Sequence, residues 1–312
     1  MPNEPFLILA ATAAALVFAG LAGFWFRVSA HNASNAAVIE NLNTRIHSWW
    51  WMVAILASAV VAGRLAVTAL FAALSFAALR EFLAATEIQA DDRRAAISGF
   101  FIALPAQYAA IGFGRYDWFA GYLPLLALLT VPVLTLLEGE PQRYLARTAE
   151  LLWAFAICVY CISYVPALLT LRIDGYEGRQ VLLMLFLILV SQTSDIFQYI
   201  WGKWIGRHKL APSISPSKTI EGLIGGGASA TALGAALWRI TPFSFGEAAG
   251  MAFLIVIAGF LGGLVLSAVK RDCGLKDWSH LIPGHGGALD RLDSLCFSAP
   301  LFFHLTRIWF AA

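Results

Sequence analysis

Long apolar runs constrain this chain more than any other feature of its sequence. Several runs of about 18 to 24 residues carry almost no charge, and roughly 20 helical residues are enough to cross the hydrocarbon layer of a bilayer. Charged residues make up only 13% of the 312 positions, about half of the ~25% found in soluble domains. The chain is therefore predicted to lie in a membrane, with most of its surface in contact with lipid.

Ten apolar spans follow one another along the chain. Backbone N–H and C=O groups in lipid need partners within their own segment, so each span is predicted to be a helix. The predicted spans are 6–26, 49–63, 65–80, 95–113, 118–137, 150–170, 181–201, 220–238, 247–269 and 294–311. The second and third are short and separated by Arg64, which fits a tilted hairpin. The predicted fold is all-α, a polytopic transmembrane bundle of about ten helices with active-site loops on the cytoplasmic side.

The distribution of lysine and arginine predicts the orientation. With the N-terminus outside, 15 of the 21 Lys and Arg residues fall in segments that alternate to the cytoplasmic side, as the positive-inside rule requires. We therefore expect a multi-pass protein of the cell inner membrane with both termini facing outward. The net charge of +2 does not itself argue for or against a nucleic-acid partner, and none is predicted.

Three conspicuous patterns within the spans have structural interpretations. The tryptophans at 49–51 stand where the second helix enters the membrane, which is typical of an interfacial aromatic belt. Cys158 and Cys161 have no second pair to complete a zinc site and are interpreted as packing residues. The glycines at 225–227 lack a phosphate-loop pattern and are predicted to allow close helix packing.

Polar residues are concentrated in the second half of the chain, between Asp195 and Asp293. Residues 1–180 contain no polar group that we assign to chemistry and are interpreted as N-terminal transmembrane scaffold helices. Residues 181–312 form the predicted C-terminal catalytic region. It contains a first motif loop, 202–222, and a second motif loop, 267–293.

The second motif loop combines balanced charges with a glycine-rich turn. Its four cations and four carboxylates are Lys270, Arg271, Lys276, Arg291, Asp272, Asp277, Asp290 and Asp293. Carboxylates bind Mg²⁺, and Lys and Arg neutralise phosphate oxygens as charge develops. Glycines let backbone N–H groups approach a phosphate closely. The composition favours metal-assisted phosphoryl-group chemistry, and the alternative is a solvated loop whose charges pair with each other.

The first motif loop is rich in cations. The stretch from Lys203 to Lys218 contains four cations and no acid, which suits a triphosphate or a lipid phosphate. Ser215 is predicted to cap a helix with Pro216 at its first position. Lys218 and Thr219 would then lie in the first turn, where a helix N-terminus attracts anions. The alternative is that these cations only mark the cytoplasmic flank of a span.

The order of residues in both motif loops resembles the phosphatidate cytidylyltransferase (CDP-diacylglycerol synthase) family. The second loop is similar nearly position by position, from Ser267 through the Pro-Gly-His-Gly-Gly turn at 283–287 to Asp293. The stretch from Asp195 to Gly222 is similar to the family's other cytoplasmic segment. Together the matched segments cover about a third of the chain.

The resemblance implies the reaction of CTP with phosphatidate to give CDP-diacylglycerol and pyrophosphate. Expected partners are CTP, phosphatidate or a related lipid phosphate, and membrane lipids, while a homodimer is left open. The expected cofactor is Mg²⁺, with a second cation beside it as an alternative. Expected catalytic residues are Lys270, Arg271, Lys276, Asp277, His285, Asp290 and Arg291. Expected substrate-binding residues are Lys209, Ser215, Ser217, Lys218, Thr219, Gly286 and Gly287. Asp290 is the main expected metal ligand, supplemented by Asp293 and Asp195, and Asp277 is a further candidate.

The chain departs from the family pattern at two positions of the ninth predicted span. The family usually has an acid, thought to help bind the metal, where this chain has Gly263, and frequently a Glu where it has Leu266. We interpret the chain as a divergent member. An inactive member with a structural role, a transferase for another lipid phosphate and a transporter are the alternatives. Asp195 is the only clear acid near the end of a span, which counts against transport.

Overall fold

Helices dominate the fold. The computed structural model describes residues 5, 8–14, 17, 33–86, 93–137, 139, 141–284 and 286–311. Helices α1 and α2 run Ala33–Ala62 and Arg64–Ala85; α3 comprises Arg93–Ser98, Gly99–Ala103 and Leu104–Gly112; α4 comprises Trp118–Tyr122 and Leu123–Leu137; α5 comprises Tyr144–Phe155, Ala156–Cys161, Ile162–Ala167 and Leu168–Thr170. Helices α6 to α9 run Gln180–Trp204, Ile220–Ala236, Phe245–Asp272 and Leu289–Phe310, with strands β1 (Lys209–Ala211) and β2 (Ser215–Thr219) between α6 and α7.

The prediction of an all-α polytopic fold is confirmed. Six of the described helices, α2 to α6 and α8, are long and apolar enough to cross a membrane. The shorter helix α7 and the terminal helix α9 cover the predicted spans 220–238 and 294–311. The first predicted span, 6–26, lies largely outside the described residues. The chain is thus a multi-pass helical membrane protein.

Helix α5 lies at the centre of the bundle. Within Tyr144–Thr170, 72% of the most apolar stretch is buried inside the protein. Within Trp118–Leu137, only 11% of the corresponding stretch is buried. Helix α4 therefore presents most of its surface to lipid. Cys158 and Cys161 lie in α5 as free thiols, Cys158 buried and Cys161 partly buried, as their interpretation as packing residues requires.

A one-residue break at Gly63 joins α1 and α2, and the tilted hairpin stays a prediction. Gly63 separates them with φ +98°, a conformation that side chains with a Cβ rarely adopt. Arg64, at the start of α2, donates hydrogen bonds of 3.0 Å and 2.8 Å to the carbonyls of Ile111 and Gly112. Those carbonyls lie at the end of α3, so Arg64 adds side-chain donors where helix carbonyls lack their usual partners.

The first motif loop differs from its prediction. Ser215 does not cap a helix, because Ser215–Thr219 is strand β2 and pairs antiparallel with β1. Helix α7 begins only at Ile220, and the hydroxyl of Thr219 caps it by accepting a hydrogen bond from the Gly222 N–H at 3.1 Å. A two-residue Ser-Pro pattern is compatible with either structure, since proline is tolerated on an edge strand as well as at a helix start. The cross-strand pairing decides between them.

Close packing of α6 against α7 depends on glycine, as predicted for residues 225–227. A Cβ at Gly225 would lie 2.7 Å from the Trp201 ring, and one at Gly226 would overlap the backbone of Gln198. A Cβ at Gly227 would lie 3.2 Å from the Val256 side chain on α8. Small residues at helix interfaces let backbones approach closely. This contact fixes the end of α6, and with it the position of the first motif loop.

Candidate active site

Lys218 reaches from β2 across to helix α8. Its ammonium lies 4.5 Å from the centroid of the Phe260 ring and 3.2 Å from the point where a Cβ on Gly263 would stand. Burial lowers the pKa of Lys218, and the nearby carboxylates of Asp195 and Asp293 act in the opposite direction. A cation in this position is partly desolvated, which strengthens its interaction with any anion that enters.

Two carboxylates face Lys218 from different helices. Asp195 comes from α6 and Asp293 from the second turn of α9. A Cβ on Gly262 would lie 2.8 Å from the Asp293 carbonyl, and an Asp293 carboxylate oxygen lies 3.8 Å from the Cβ position of Gly263. The close approach of α8 and α9 therefore places Asp293 beside Lys218. We refer to Asp195, Asp293 and Lys218 as the carboxylate cluster.

The second motif loop folds into a compact turn. The Ile282 N–H donates a hydrogen bond of 2.8 Å to the Gly286 carbonyl, and Gly284 and Gly286 have φ values of +73° and +81°. Both angles favour glycine. His285 lies outside the described residues.

A cavity opens beside this turn. It has a volume of about 330 Å³. Polar and glycine residues of the second motif loop and of α9 line it, among them Lys276, Asp277, His280, Gly284, Gly286 and Arg291. We refer to it as the loop cavity.

Arg291 connects the loop cavity with the carboxylate cluster. It lines the cavity and also interacts electrostatically with both Asp195 and Asp293. Its Nε atom is buried without a hydrogen-bond partner in the described part of the chain. Arg291 therefore has capacity to bind an anion that spans the two sites.

Asp290 and Lys270 form a buried pair that organises the second motif loop. Lys270 donates to one Asp290 oxygen at 2.6 Å, and the side chains are exposed by only 10% and 4%. The other oxygen accepts the N–H groups of Trp278 and Gly287, both at 2.9 Å. A Cβ on Gly286 would lie 2.6 Å from that same oxygen. Three hydrogen bonds within the protein thus engage the carboxylate, and metal binding by Asp290 stays a prediction.

Arg271 links the two motif loops. Its guanidinium donates hydrogen bonds to the carbonyl of Ile214 at 3.2 Å and to that of Leu275 at 2.8 Å. Ile214 belongs to the turn between β1 and β2. This contact joins Arg271 to Ile214, which lies 57 positions earlier in the sequence.

The structure brings some of the predicted residues together and separates others. Lys218, Asp195 and Asp293 form the carboxylate cluster, and Lys276, Asp277, Gly286 and Arg291 border the loop cavity. Lys209 and Ser217 are exposed on the hairpin, Ser215 is half-buried, and Thr219 is buried as a helix cap. Gly287 is buried beside Asp290.

The sequence analysis missed residues of the first half that contact the second motif loop. Glu81 accepts hydrogen bonds from this loop, and the Ser48 hydroxyl donates one of 2.8 Å to the Pro283 carbonyl. Phe82 stacks on Trp278, with ring centroids 5.2 Å apart. Polar residues of the predicted scaffold, residues 1–180, therefore contact the second motif loop, which the sequence analysis did not foresee. An acid directly after the predicted apolar span 65–80 was the available signal.

The fold and the site together define a multi-pass helical membrane protein that gathers carboxylates and cations at one face of its bundle. Comparison with known proteins identifies the family within this class. Residues 43–309 match the cytidylyltransferase family. The chain belongs to this family, as the resemblance of the motif loops implied.

Individual relatives agree with this assignment. An uncharacterized protein of Escherichia coli K12, YnbB, is 36% identical over 266 residues, covering 84% of this chain and 86% of its own length. The phosphatidate cytidylyltransferase of Staphylococcus aureus strain COL is 38% identical over 149 residues, or 47% of this chain and 56% of that protein. The phosphatidate cytidylyltransferase of Synechocystis is 46% identical over 119 residues, 36% of this chain and 38% of that protein. The chain thus matches about half or less of the length of these two enzymes.

Proposed function

We propose that the protein transfers the cytidylyl group of CTP to phosphatidate, forming CDP-diacylglycerol and pyrophosphate. The observation that carries the proposal is the position of Arg291 between the loop cavity and the carboxylate cluster. A nucleoside triphosphate and a lipid phosphate must be brought together with their anionic groups side by side. Membership of the cytidylyltransferase family and relatives named phosphatidate cytidylyltransferase support the same reaction.

The reaction requires alignment of anions rather than a general base. An oxygen of the lipid phosphate attacks the α-phosphorus of CTP, the bond from that phosphorus to the β-phosphate oxygen breaks, and pyrophosphate leaves with the bonding electrons. The attacking oxygen is already anionic at neutral pH, so no proton has to be removed. The protein's contribution is to hold the two phosphates in line and to reduce their repulsion.

The residues of the two sites divide this work in the proposed mechanism. Lys276 and Arg291 bind the triphosphate in the loop cavity, and glycines of the 284–287 turn allow its oxygens to approach the backbone. Lys218, partly desolvated beside Phe260, binds the phosphate oxygens at the point of transfer. The buried ion pair of Lys270 and Asp290 holds the second motif loop in position.

The carboxylate cluster fits Mg²⁺. Asp195 is exposed and Asp293 half-buried, and no salt bridge of the described residues brings a Lys or Arg nitrogen within 4.0 Å of either carboxylate. No group of three or more His, Cys, Asp or Glu side chains converges within the described ranges. Two carboxylates suit Mg²⁺, which commonly takes one or two from the protein and fills its shell with water and substrate phosphates. When bound, Mg²⁺ would offset negative charge on the phosphate oxygens.

A lipid acceptor fits the surroundings of Asp195. The helix turn after it exposes Ile196, Tyr199 and Ile200, by 44%, 61% and 49%. Exposed apolar side chains on a membrane helix face hydrocarbon or the interface. We infer that the carboxylate cluster is open sideways to lipid, so that a phosphate on a diacylglycerol reaches it without leaving the membrane.

An assay on the protein purified in detergent tests the proposal. CTP and phosphatidate are supplied with Mg²⁺, pyrophosphate release is measured, and mass spectrometry identifies the lipid product. We expect CDP-diacylglycerol, with no turnover in excess EDTA. If the protein turns over only with a different lipid phosphate, that lipid replaces phosphatidate as the proposed substrate. A folded protein that releases no pyrophosphate with any lipid phosphate would reject the proposal in favour of an inactive family member.

A further inference from the structure

Glu81 is a buried acid on a helix that crosses the membrane. It lies near the end of α2 and is only 7% exposed. Burying an ionisable side chain in a membrane helix is costly, and such residues usually mark functional sites. The catalytic residues proposed above all come from the second half of the chain, so Glu81 has no role among them.

Three donors of the second motif loop meet the Glu81 carboxylate. One oxygen accepts hydrogen bonds from the Ser279 hydroxyl at 2.7 Å and the Ala288 N–H at 2.9 Å. The other accepts the Leu289 N–H at 2.9 Å. A Cβ on Gly287 would overlap the carboxylate, so the absence of a side chain at this position is what allows the acid to come this close. These bonds span about 200 positions of sequence.

The carboxylate acts as a cap supplied from another helix. The first N–H groups of a helix have no partner within it, and a negative charge at that end is favourable. At the start of α9, Glu81 accepts the N–H groups of Ala288 and Leu289, while Asp290 accepts that of Gly287. Because Arg291 and Asp293 lie in the first two turns of α9, the cap also fixes their positions.

We propose that Glu81 is a positioning residue for the nucleotidyl transfer, a role that rests on the proposed function. It holds the start of α9 so that Arg291 and Asp293 face the substrates, and it acts through the backbone without touching CTP or lipid. The first half of the chain thereby becomes part of the catalytic apparatus.

Glu81→Ala and Glu81→Gln test this role by kinetics. A misplacement of catalytic groups by about 1 Å costs up to about 10²-fold in rate, so we expect Glu81→Ala to lower kcat by about 10- to 100-fold and to raise the Mg²⁺ concentration giving half-maximal rate. Glu81→Gln keeps one acceptor oxygen, so its kcat should fall between that of the wild-type protein and that of Glu81→Ala. The isosteric variant also carries the test if Glu81→Ala does not fold.

Ser75→Ala is the matched control. Ser75 is a fully buried polar residue on the same helix, but its partner is the Tyr108 hydroxyl at 2.5 Å rather than the motif loop. Its loss should lower Tm while leaving kcat and the Mg²⁺ dependence at wild-type values. An equal loss of kcat in Ser75→Ala and Glu81→Gln would reduce Glu81 to a structural role and overturn the proposal.

Hydrogen exchange separates this inference from the proposed function. Peptides covering 279–291 should exchange faster in the Glu81 variants than in the wild-type protein and in Ser75→Ala, because the amides of Ala288 and Leu289 lose their acceptor. Unchanged exchange in a folded Glu81→Ala variant would overturn the positioning role whether or not the protein turns over CTP. An inactive wild-type protein would reject the proposed reaction and Glu81's part in it, and faster exchange in the variants would still show that Glu81 orders the loop.

Discussion

Single side chains at the site have separable functions. Lys218 and Arg291 both approach the carboxylates of Asp195 and Asp293, whereas Lys270 is engaged in a buried pair with Asp290. Cations of the same loops therefore differ in their surroundings: Lys218 and Arg291 lie near the carboxylate cluster, whereas Lys270 is held in an ion pair within the protein. Substitutions that measure activity and stability side by side distinguish the two groups.

Lys218→Ala and Arg291→Ala should each lower kcat/KM by about 10²-fold or more, since a well-placed charge in a transition state contributes on the order of 3 kcal/mol. The Tm should change little, because neither side chain has a salt bridge within the described residues. Lys203→Ala is the control, since Lys203 is exposed at the end of α6 and has no expected role at the site. Wild-type kinetics in both variants would assign these cations to membrane topology rather than catalysis.

Asp290→Asn and Asp293→Asn should fail in different ways. Removing one partner of a buried ion pair costs about 3–5 kcal/mol, so Asp290→Asn should lower Tm strongly through the stranded ammonium of Lys270. Asp293→Asn should keep its Tm and raise the Mg²⁺ requirement. Thermal unfolding and Mg²⁺ titration of the rate measure both effects. An Asp290→Asn protein of normal Tm whose activity is lost would favour Asp290 as the metal ligand.

Gly263→Asp restores the acid that the family usually has. The new side chain would stand beside the Lys218 ammonium and the Asp293 carboxylate, where a third carboxylate should lower the Mg²⁺ concentration giving half-maximal rate. Lys218 has to move by a few tenths of an ångström, which the end of a flexible side chain allows. An unchanged Mg²⁺ dependence in a folded variant would place the metal elsewhere, with Asp277 as the next candidate.

At the scale of elements, the hairpin β1–β2 depends on close packing around Thr219. Gly202, Gly206 and Gly222 surround its hydroxyl, and a Cβ on any of them would lie within 3.1 Å of that oxygen. The three glycines of the first motif loop are thus needed for one physical reason. They allow α6, β2 and α7 to approach a single capping side chain, that of Thr219.

Gly206→Ala should destabilise the protein by overpacking, which typically costs about 1–3 kcal/mol. Its Cβ would lie 2.8 Å from the Thr219 hydroxyl and would overlap the Gly202 carbonyl. Gly250→Ala on α8 is the control, because nothing lies within 4 Å of a Cβ there. Tm values from tryptophan fluorescence in detergent should fall for the first variant only. Equal Tm values would show that the hairpin adapts and that its glycines serve another purpose.

At the scale of the whole molecule, both motif loops lie at the same face of the bundle, joined by Arg271 and Ile214. The cation distribution predicts that this face is cytoplasmic. Single cysteines at Ser213 and Leu281, both exposed, test the prediction in a background without the four native cysteines. An impermeant maleimide should label them only after cells are opened.

A third cysteine at Asp174 provides the control for this topology. Asp174 is exposed in the connection between α5 and α6, at the opposite end of α6 from the first motif loop. It should be labelled in intact cells. Labelling of Ser213→Cys or Leu281→Cys from outside would reverse the predicted orientation.

The sequence by itself determined the class of fold and the two motif loops. Spans of about 20 apolar residues admit little but helices in lipid, and the ordered spacing of Lys218, Lys270, Asp290 and Arg291 was sufficient to indicate the family. Both kinds of information are local, since they depend on neighbours within one helix or one loop.

Tertiary structure alone decided which partners these residues have. Asp290 and Asp293 are both acids of one helical segment, yet α9 turns the first toward Lys270 and leaves the second beside Gly263. The Ser215 region became a strand because β1 was available to pair with it. Glu81 gained its role from loop donors about 200 residues away. Contacts of this kind depend on how helices pack, and no periodicity or motif within a single segment encodes the partner.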